Sequence, residues 1–455
     1  MRLSSGVTIC EQRHYSASTT NTGILLFTTA VAKAGSAPPA SHLHISAQLS
    51  PDIDQGLIHH YTSRLCSLLL SRHAHPDYER LFLQSSILPK LQLMVEPLLA
   101  CASLDLSRQF PAYRPLALAY YAQAVTNTRN TIARKNVQGT EDWLLFNVLH
   151  LNLFETWNSD ATPDRTPVLL HIQGAAQILK LKLQGHSTVH SSTADMVVAR
   201  IAAEAFVYHT VNWSMFHGNP IPITTMPAAE LWDGLQPYLN LRPFPDASDA
   251  ENSPVLGVPW QLYRFLSDLA LLSRRGPSID NETDLSTVRS LSDAIEDWER
   301  REEETQTQKA EKGSLPYKPS PYRQRTRLFV LALKLLILKL LHPTIATIDL
   351  RIQYLVSEAT QLILSKEHSQ TVLERTDFWP LLVVGSAAVD RSQVAVVRDT
   401  LQTMAQTMHS VAFAKTKRAL ETIWAQKEKE HDACDGLTML LGGGGVPGLI
   451  QGDVR

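Results

Sequence analysis

The sequence predicts an all-α protein, a multi-helix bundle or solenoid-like domain with long irregular loops. Apolar residues recur at intervals of three and four through residues 51–441, which is the spacing of one face of an α-helix. No stretch of convincing length alternates apolar and polar residues as a half-buried strand does, and no strand–helix–strand rhythm appears. The chain has 455 residues and can bury a substantial core. We therefore expect residues 51–441 to form one helical domain.

The first helices are expected between residues 51 and 157. The stretch DIDQGLIHHYTSRLCSLLLSR places its apolar residues on one helical face. The stretch ILPKLQLMVEPLLACASLDLS is apolar nearly all round and so belongs inside a bundle. Gly139 is expected to end one helix, and Thr140 is well placed to cap the next.

Two later segments have compositions that favour loops. A stretch rich in Pro, Asp and Asn over about residues 217–259 and a polar, Pro-containing stretch over about 305–325 are both predicted to be mobile loops. The run Thr326–Pro343 is the most hydrophobic in the chain. Lys334 and Lys339 interrupt it before it reaches the roughly 18 apolar residues of a membrane span. We predict a central bundle helix there and no membrane partner.

The two ends of the chain differ in composition from the domain. Residues 1–50 are rich in Ser and Thr and poor in acidic residues, as a transit peptide is, yet they are also poor in arginine and lack an amphipathic pattern. We expect a flexible, disordered leader or a remnant of a longer gene. Residues 442–455 form a Gly-rich tail without the Lys-Ser/Thr pair of a phosphate-binding loop, so a disordered tail is expected.

Charge and cysteine usage argue against autonomous nucleic-acid binding and against a cysteine-based zinc module. Lys and Arg total 42 and Asp and Glu total 44, for a formal net charge of −2. The chain therefore lacks the basic excess that neutralises phosphates. The four cysteines lie far apart without a CxxC pair, which indicates reduced thiols. They are Cys10, Cys66, Cys101 and Cys434.

Catalytic and metal motifs in the sequence are incomplete. The stretch QGHSTV resembles a nucleophile elbow around Ser187, but Val189 stands where that turn needs a second glycine, so we interpret it as a loop between helices. His186 and His190 are four residues apart without the glutamate of an HExxH zinc site. We predict no catalytic, cofactor-binding or metal-ligating residues and no cofactor. The rival interpretation is a helical small-molecule-binding protein or an enzyme.

The stretch LLHIQGAAQILKLK (Leu169–Lys182) is expected to be a contact between helices. Its apolar residues fall at spacings of three and four. Gly174 costs about 1 kcal/mol relative to Ala in a helix, so its presence, beside Ala175, implies the close approach of a neighbouring backbone. His171 is placed at the start of the helix and is expected to bond a neighbouring carbonyl or carboxylate rather than a metal or a substrate.

Four segments follow one another in a familiar order: LFETW, LLHIQGAAQILKLK, DFWPLLVVGSAAVDRSQ and ALETIWAQKEKEHDACDGLTML. Over about residues 50–441 the chain resembles the fungal-specific transcription factor domain, the regulatory domain of binuclear zinc-cluster transcription factors. The resemblance implies a set of structural family-motif residues. They are Glu155, His171, Gly174, Ala175, Trp379, Pro380 and Trp424.

The resemblance also implies a function. Members of the family act in the nucleus and often control biosynthetic (secondary-metabolite) or catabolic gene clusters. Their DNA-binding half is an N-terminal six-cysteine zinc cluster, whereas residues 1–50 contain one cysteine, Cys10. We therefore expect a transcriptional regulator or co-regulator that reaches DNA indirectly, through other transcription factors or co-regulators, as a homodimer or heterodimer. The alternative is a truncated gene model of a transcription factor whose upstream zinc cluster binds DNA directly.

Overall fold

The computed structural model describes residues 51–134, 137–158, 166–184, 192–216, 228–273, 282–311, 321–364, 374–408, 411–430 and 435–441. Within these ranges the regular elements are helices and no strand occurs, which confirms the all-α prediction. None of the helices described there combines the length and the hydropathy that crossing a membrane requires. The leader, the Gly-rich tail and the loop around Ser187 lie outside the described residues.

The first half of the domain is a set of helices packed around α4. In chain order the helices are α1 (Pro51–His60), α2 (Cys66–Leu69), α3 (Asp77–Phe82), α4 (Leu91–Leu106), α5 (Tyr113–Ala133), α6 (Asp142–Asn158), α7 (Thr166–Gln184) and α8 (Thr193–Phe216). A π-helical turn, Tyr61–Leu65, joins α1 to α2. The uniformly apolar α4 packs against α1, α5 and α6, and its central residues are buried on all sides, as its sequence predicts.

The second half is organised around α12. Its helices are α9 (Ala228–Leu239), α10 (Trp260–Ser273), α11 (Glu282–Glu311), α12 (Pro321–Leu341), α13 (Leu350–Leu364), α14 (Phe378–Ala387), α15 (Arg391–Met408), α16 (Val411–Glu430) and α17 (Gly436–Leu441). A 3-10 turn, Arg375–Asp377, leads directly into α14. Helix α12 packs against α10, α11, α13 and α14, which confirms the prediction of a central bundle helix.

The two lysines that interrupt the apolar run of α12 both have partners. The Lys334 ammonium pairs with Glu299 of α11. Lys339 is buried, and its ammonium donates to the carbonyl oxygen of Ile345 at 2.7 Å and to Asp435 at 2.8 Å. The same interaction fixes the residue before α17 to the core. These lysines therefore mark buried or half-buried ion pairs rather than a solvated face.

Both segments predicted to be mobile loops contain helical or buried structure. Helix α9 lies inside 217–259, where Leu231, Trp232 and Leu235 are buried at helical spacing. In the second segment α11 continues to Glu311 and α12 already begins at Pro321. Pro321 stands in the first turn of α12, where the missing N–H of proline leaves no hydrogen bond unmade, whereas Pro237 lies inside α9.

The turn before α6 differs in detail from its prediction. Gly139 has a φ of 83°, a left-handed conformation that suits glycine, but α5 already ends at Ala133. The side chain that binds the backbone of this turn is Glu141, which accepts from the N–H groups of Gln138 and Gly139 at 2.6 and 2.9 Å. Glu141 thus stabilises the turn that precedes α6, and the capping role expected of Thr140 stays a prediction.

Candidate functional site

Two of the family-motif residues converge on a tyrosine. His171 Nε2 of α7 lies 3.1 Å from the Tyr121 hydroxyl of α5. Glu155 of α6 is hydrogen-bonded to the same hydroxyl. All three side chains are buried, and the Tyr121 ring stacks on Phe154 at a centroid distance of 4.5 Å. We call Tyr121, Glu155 and His171 the motif cluster; it ties α5, α6 and α7 together.

The protonation states in the motif cluster follow from burial and from its hydrogen bonds. Burial lowers the pKa of His171 to about 3, so the imidazole is neutral at neutral pH. Burial, and then the charge of Glu155, raise the pKa of Tyr121 well above 10. The phenol therefore donates to the carboxylate, and the imidazole donates its Nε2–H to the phenol oxygen. His171 Nδ1 has no hydrogen-bond partner among the described residues.

The structure differs from the prediction for His171 in its position on the helix and in its hydrogen-bond partner. Helix α7 begins at Thr166, so His171 lies in its second turn rather than at its start. Its partner is a hydroxyl group that in turn bonds a carboxylate, where a direct bond to a carbonyl or carboxylate was expected. Gly174 and Ala175 are buried on α7, which packs chiefly against α6. The close backbone approach at Gly174 stays a prediction.

The remaining motif residues pack the second half of the domain. Trp379 is 1% exposed, and its ring centroid lies 5.7 Å from that of Phe329 on α12. Pro380 is buried in the first turn of α14, where proline is tolerated. Trp424 of α16 donates its indole N–H to the carbonyl oxygen of Gly385 at 2.9 Å. These residues therefore join α12, α14 and α16.

A charged cluster lies where four segments of the chain meet. Arg325 is fully buried, and its Nε donates to both carboxylate oxygens of Asp377, at 3.1 and 3.2 Å. Its Nη1 donates to the carbonyl oxygen of Gly257 at 2.9 Å and pairs with Glu374 at 2.9 Å. Glu374 accepts from the Ser71 hydroxyl at 2.9 Å. We call Ser71, Gly257, Arg325, Glu374 and Asp377 the hub.

Electrostatics stabilise the charge at the centre of the hub. Burial acts to lower the pKa of Arg325, but the attraction of Asp377 and then Glu374 outweighs burial, and the pKa is raised. A buried cation held by two carboxylates and a carbonyl is stable only while all the partners are present. The Glu374 backbone N–H also donates to Asp377 at 2.7 Å, so the 3-10 turn itself presents both carboxylates.

The hub requires glycine at position 257 for two reasons. Its φ is +61°, in the left-handed region. A Cβ atom built there would lie 2.5 Å from Arg325 Nη1 and 2.8 Å from a Glu374 carboxylate oxygen. Any side chain at this position would both strain the backbone and push apart the ion pair.

A second buried carboxylate fixes the turn that carries Gly257. Glu204 of α8 is 0% exposed and accepts from the backbone N–H groups of Val255 and Leu256 at 2.7 and 2.9 Å. Its other oxygen accepts from Arg200 Nε at 2.7 Å. The segment that composition predicted to be mobile is therefore bound to α8. A lone glutamate inside the apolar stretch ARIAAEAF was a signal of this role that the sequence analysis missed.

Two cavities flank the hub, and a cleft opens beside it. The cleft has a volume of about 880 Å³ and lies between the 239–261 segment and the facing parts of α11 and α12, with Trp260, Trp298 and Tyr322 in its wall. Each cavity holds about 50 Å³ and has mostly apolar walls, and the cavity beside Tyr61 and His150 is more apolar than the cavity beside Ser71 and Asp105. Both are lined by Arg375, which follows hub residue Glu374 and begins the 3-10 turn.

The two described cysteine thiols are not activated, and the described residues contain no metal cluster. Cys66 and Cys101 are buried, and burial raises the pKa of both thiols far above the range in which they would ionise. No group of three or more His, Cys, Asp or Glu side chains in the described ranges is arranged to hold a metal ion. The candidate serine, Ser187, and both histidines beside it lie outside those ranges.

Together these features describe a helical domain in which polar clusters tie helices together around small cavities. The family model of the fungal specific transcription factor domain matches residues 56–438, and the chain therefore belongs to that family. Membership identifies it as a fungal transcriptional regulator. The comparisons with curated proteins and with solved structures gave no match.

Proposed function

We propose that the chain acts in the nucleus and controls a biosynthetic or catabolic gene cluster. The observation that carries this proposal is the family match over residues 56–438. We further propose that it reaches DNA through a partner transcription factor or co-regulator. The net charge of −2 supports an indirect contact, because phosphate binding needs a basic surface.

Chromatin immunoprecipitation of the tagged chain, together with expression profiling of a deletion strain, tests the proposal. We expect enrichment at promoters of neighbouring genes whose transcripts change together in the deletion strain. The tagged chain carrying Arg325→Met is the matched loss-of-fold control, because it removes the central cation of the hub. Absence of enrichment together with unchanged transcripts would rule the proposal out.

The route to DNA is tested separately. We expect the purified chain to leave promoter DNA unshifted by itself and to shift it when nuclear extract is added. The alternative is a longer gene product whose upstream zinc cluster binds directly. Sequencing the 5′ end of the transcript decides between them, since an upstream exon with CxxC spacing favours direct binding.

A further inference from the structure

The apolar cavity beside the hub has the shape and lining of a small-molecule site. It lies between the π-turn that follows α1, helices α6 and α8, and the 3-10 turn. Its walls are mainly aliphatic and aromatic side chains, among them Leu69, Phe82, Phe146, Leu149, Leu153 and Ile201. Its volume of about 50 Å³ compares with the 10–15 Å³ or so that one water needs, so it has room for roughly three to five water-sized groups.

Most polar groups in the wall of this cavity are already hydrogen-bonded. The Tyr61 hydroxyl donates to His150 Nε2 at 2.6 Å. His150 Nδ1 donates to the carbonyl oxygen of Phe146 at 2.6 Å, which uses its second nitrogen. Burial lowers the pKa of His150 to about 4, so this pair is uncharged at neutral pH. Neither residue has a hydrogen to offer a ligand.

Arg375 is the cation of this cavity, and its hydrogen-bonding capacity is largely unused. Its Nη2 donates to the carbonyl oxygen of Leu69 at 3.2 Å, and its guanidinium carbon lies 4.4 Å over the Tyr208 ring. Its neighbours Glu374 and Asp377 direct their carboxylates to Arg325. Within the described ranges no carboxylate forms an ion pair with Arg375. A guanidinium has five N–H donors in a planar fork that matches a carboxylate.

His209 provides a second polar group on the same wall. It lines the cavity next to Tyr208 and is half-buried. Burial, and then the charge of Arg375, lower the pKa of His209 to about 3, so the imidazole is neutral. A neutral imidazole beside a guanidinium can hydrogen-bond a carboxylate without adding a second charge.

We propose that this cavity binds a short-chain monocarboxylate, with the carboxylate on Arg375 and the hydrocarbon tail among the apolar side chains. The one cation selects an anionic head, the apolar walls select an alkyl tail, and the small volume excludes long chains. The second cavity of about 50 Å³ shares Leu69, Leu70, Val255 and Arg375 with the first, so Arg375 lines both.

Such binding would act on the hub, because Arg375 belongs to the same 3-10 turn as Glu374 and Asp377. A carboxylate on Arg375 would hold that turn against Leu69, which precedes hub residue Ser71 by two positions. The ligand would therefore stabilise one arrangement of the hub over another. The inference that the ligand regulates the protein through the hub rests on the proposed function, whereas the binding itself does not.

The test is calorimetric titration and thermal unfolding of the purified full chain with sodium propionate. Matched probes are n-propanol, which has the tail without the charge, and octanoate, which has the charge with too long a tail. We expect saturable binding and a rise in Tm with propionate, and neither with the two other probes. Equal binding of propionate and propanol, or no saturable binding of propionate, overturns the proposal.

Variants separate the site from the rest of the surface. We expect Arg375→Gln to weaken propionate binding by about tenfold or more, the loss of a charged hydrogen bond. Ala205→Leu should abolish binding by filling the cavity from α8. Arg351→Gln is the control, since Arg351 is exposed and pairs with Asp349. If Arg375→Gln fails to fold, Ala205→Leu decides. Unchanged binding in Ala205→Leu overturns the proposal.

The outcomes for the site and for the proposed function are distinguishable. Propionate binding with no promoter occupancy in the immunoprecipitation means that the function is wrong and the site is right. Promoter occupancy with no binding of propionate means that the proposed function is right and the proposed site is wrong. Promoter occupancy that changes in wild type but not in Arg375→Gln when propionate is fed supports both together.

Discussion

The motif cluster and the hub are both buried and polar, yet they are built differently. The motif cluster joins three consecutive helices through a neutral imidazole, a phenol and a carboxylate. The hub joins segments up to 303 residues apart through a cation and two carboxylates. Losing one hydrogen-bond partner in the motif cluster costs about 1–3 kcal/mol, whereas removing one member of a buried ion pair costs about 3–5 kcal/mol because it leaves an uncompensated charge. The comparison indicates that the hub governs the stability of the whole domain and that the motif cluster governs one corner of it.

The largest expected effect comes from removing the cation of the hub. Arg325→Met leaves Asp377 and Glu374 buried without their partner, and we expect the free energy of unfolding to fall by about 3–5 kcal/mol. Urea denaturation measures the loss. Arg351→Met, at an exposed arginine, should change stability by less than about 0.5 kcal/mol. A loss at Arg325 as small as at the control would contradict the role of the hub.

The next effect tests the glycine of the hub. Gly257→Ala adds a Cβ atom 2.5 Å from Arg325 Nη1 at a positive φ, and we expect a loss of about 2–3 kcal/mol. The matched control is Gly56→Ala in α1, where a Cβ meets nothing within 4 Å. That change should stabilise the protein by about 0.5–1 kcal/mol, because alanine favours the helix. The same sign in both variants would show that the space around Gly257 relaxes.

A smaller loss is expected in the motif cluster. Tyr121→Phe removes the hydroxyl between Glu155 and His171 and leaves both groups buried, for a loss of about 1–2 kcal/mol in urea denaturation. Tyr120→Phe is the neighbouring control: its hydroxyl bonds Asp54, which is partly exposed and can turn to water. If Tyr121→Phe costs as much as Arg325→Met, the contrast between the two clusters is wrong.

The effect that is smallest at neutral pH is a pH dependence. The pKa of His171 is about 3 in the folded protein and about 6.5 when unfolded, so between these values the unfolded chain binds more protons. Stability is therefore fully present above pH 6.5 or so and is lost as the pH falls towards 3, by at most about 1.4 kcal/mol per pH unit for this group. We expect His171→Gln to reduce the slope of unfolding free energy against pH between about 6 and 4. His150 and His209 contribute in the same direction and keep the remaining slope. An unchanged slope would mean that His171 is not kept neutral.

The sequence predicted the parts of the fold that depend on local periodicity. The apolar runs of α4 and α12 identify core helices, because a helix that is apolar nearly all round has no face to give to water. The motif resemblance found Glu155 and His171, which lie 16 positions apart on adjacent helices. It did not find Tyr121, which completes their cluster, because no spacing rule links it to them.

The hub could not be predicted from local patterns. Gly257 and Arg325 both lie in segments whose proline and polar content favours loops, and Glu374 is separated from Ser71 by most of the domain. A charged residue is buried only when a distant partner folds against it, and local composition does not identify that partner. Arg375 went unnoticed for the same reason, since its lack of an ion pair is visible only in three dimensions.

The separation between Ser71 and Glu374 in the sequence also determines when the hub can form during synthesis of the chain. At about 5–20 residues per second, a ribosome needs roughly 15–60 s to make the 303 residues between them. During that interval Ser71, Gly257 and then Arg325 leave the ribosome before the carboxylates of Glu374 and Asp377 have been synthesised. The nascent domain therefore spends most of its synthesis with the hub open, and this is the stage at which chaperones have access to it.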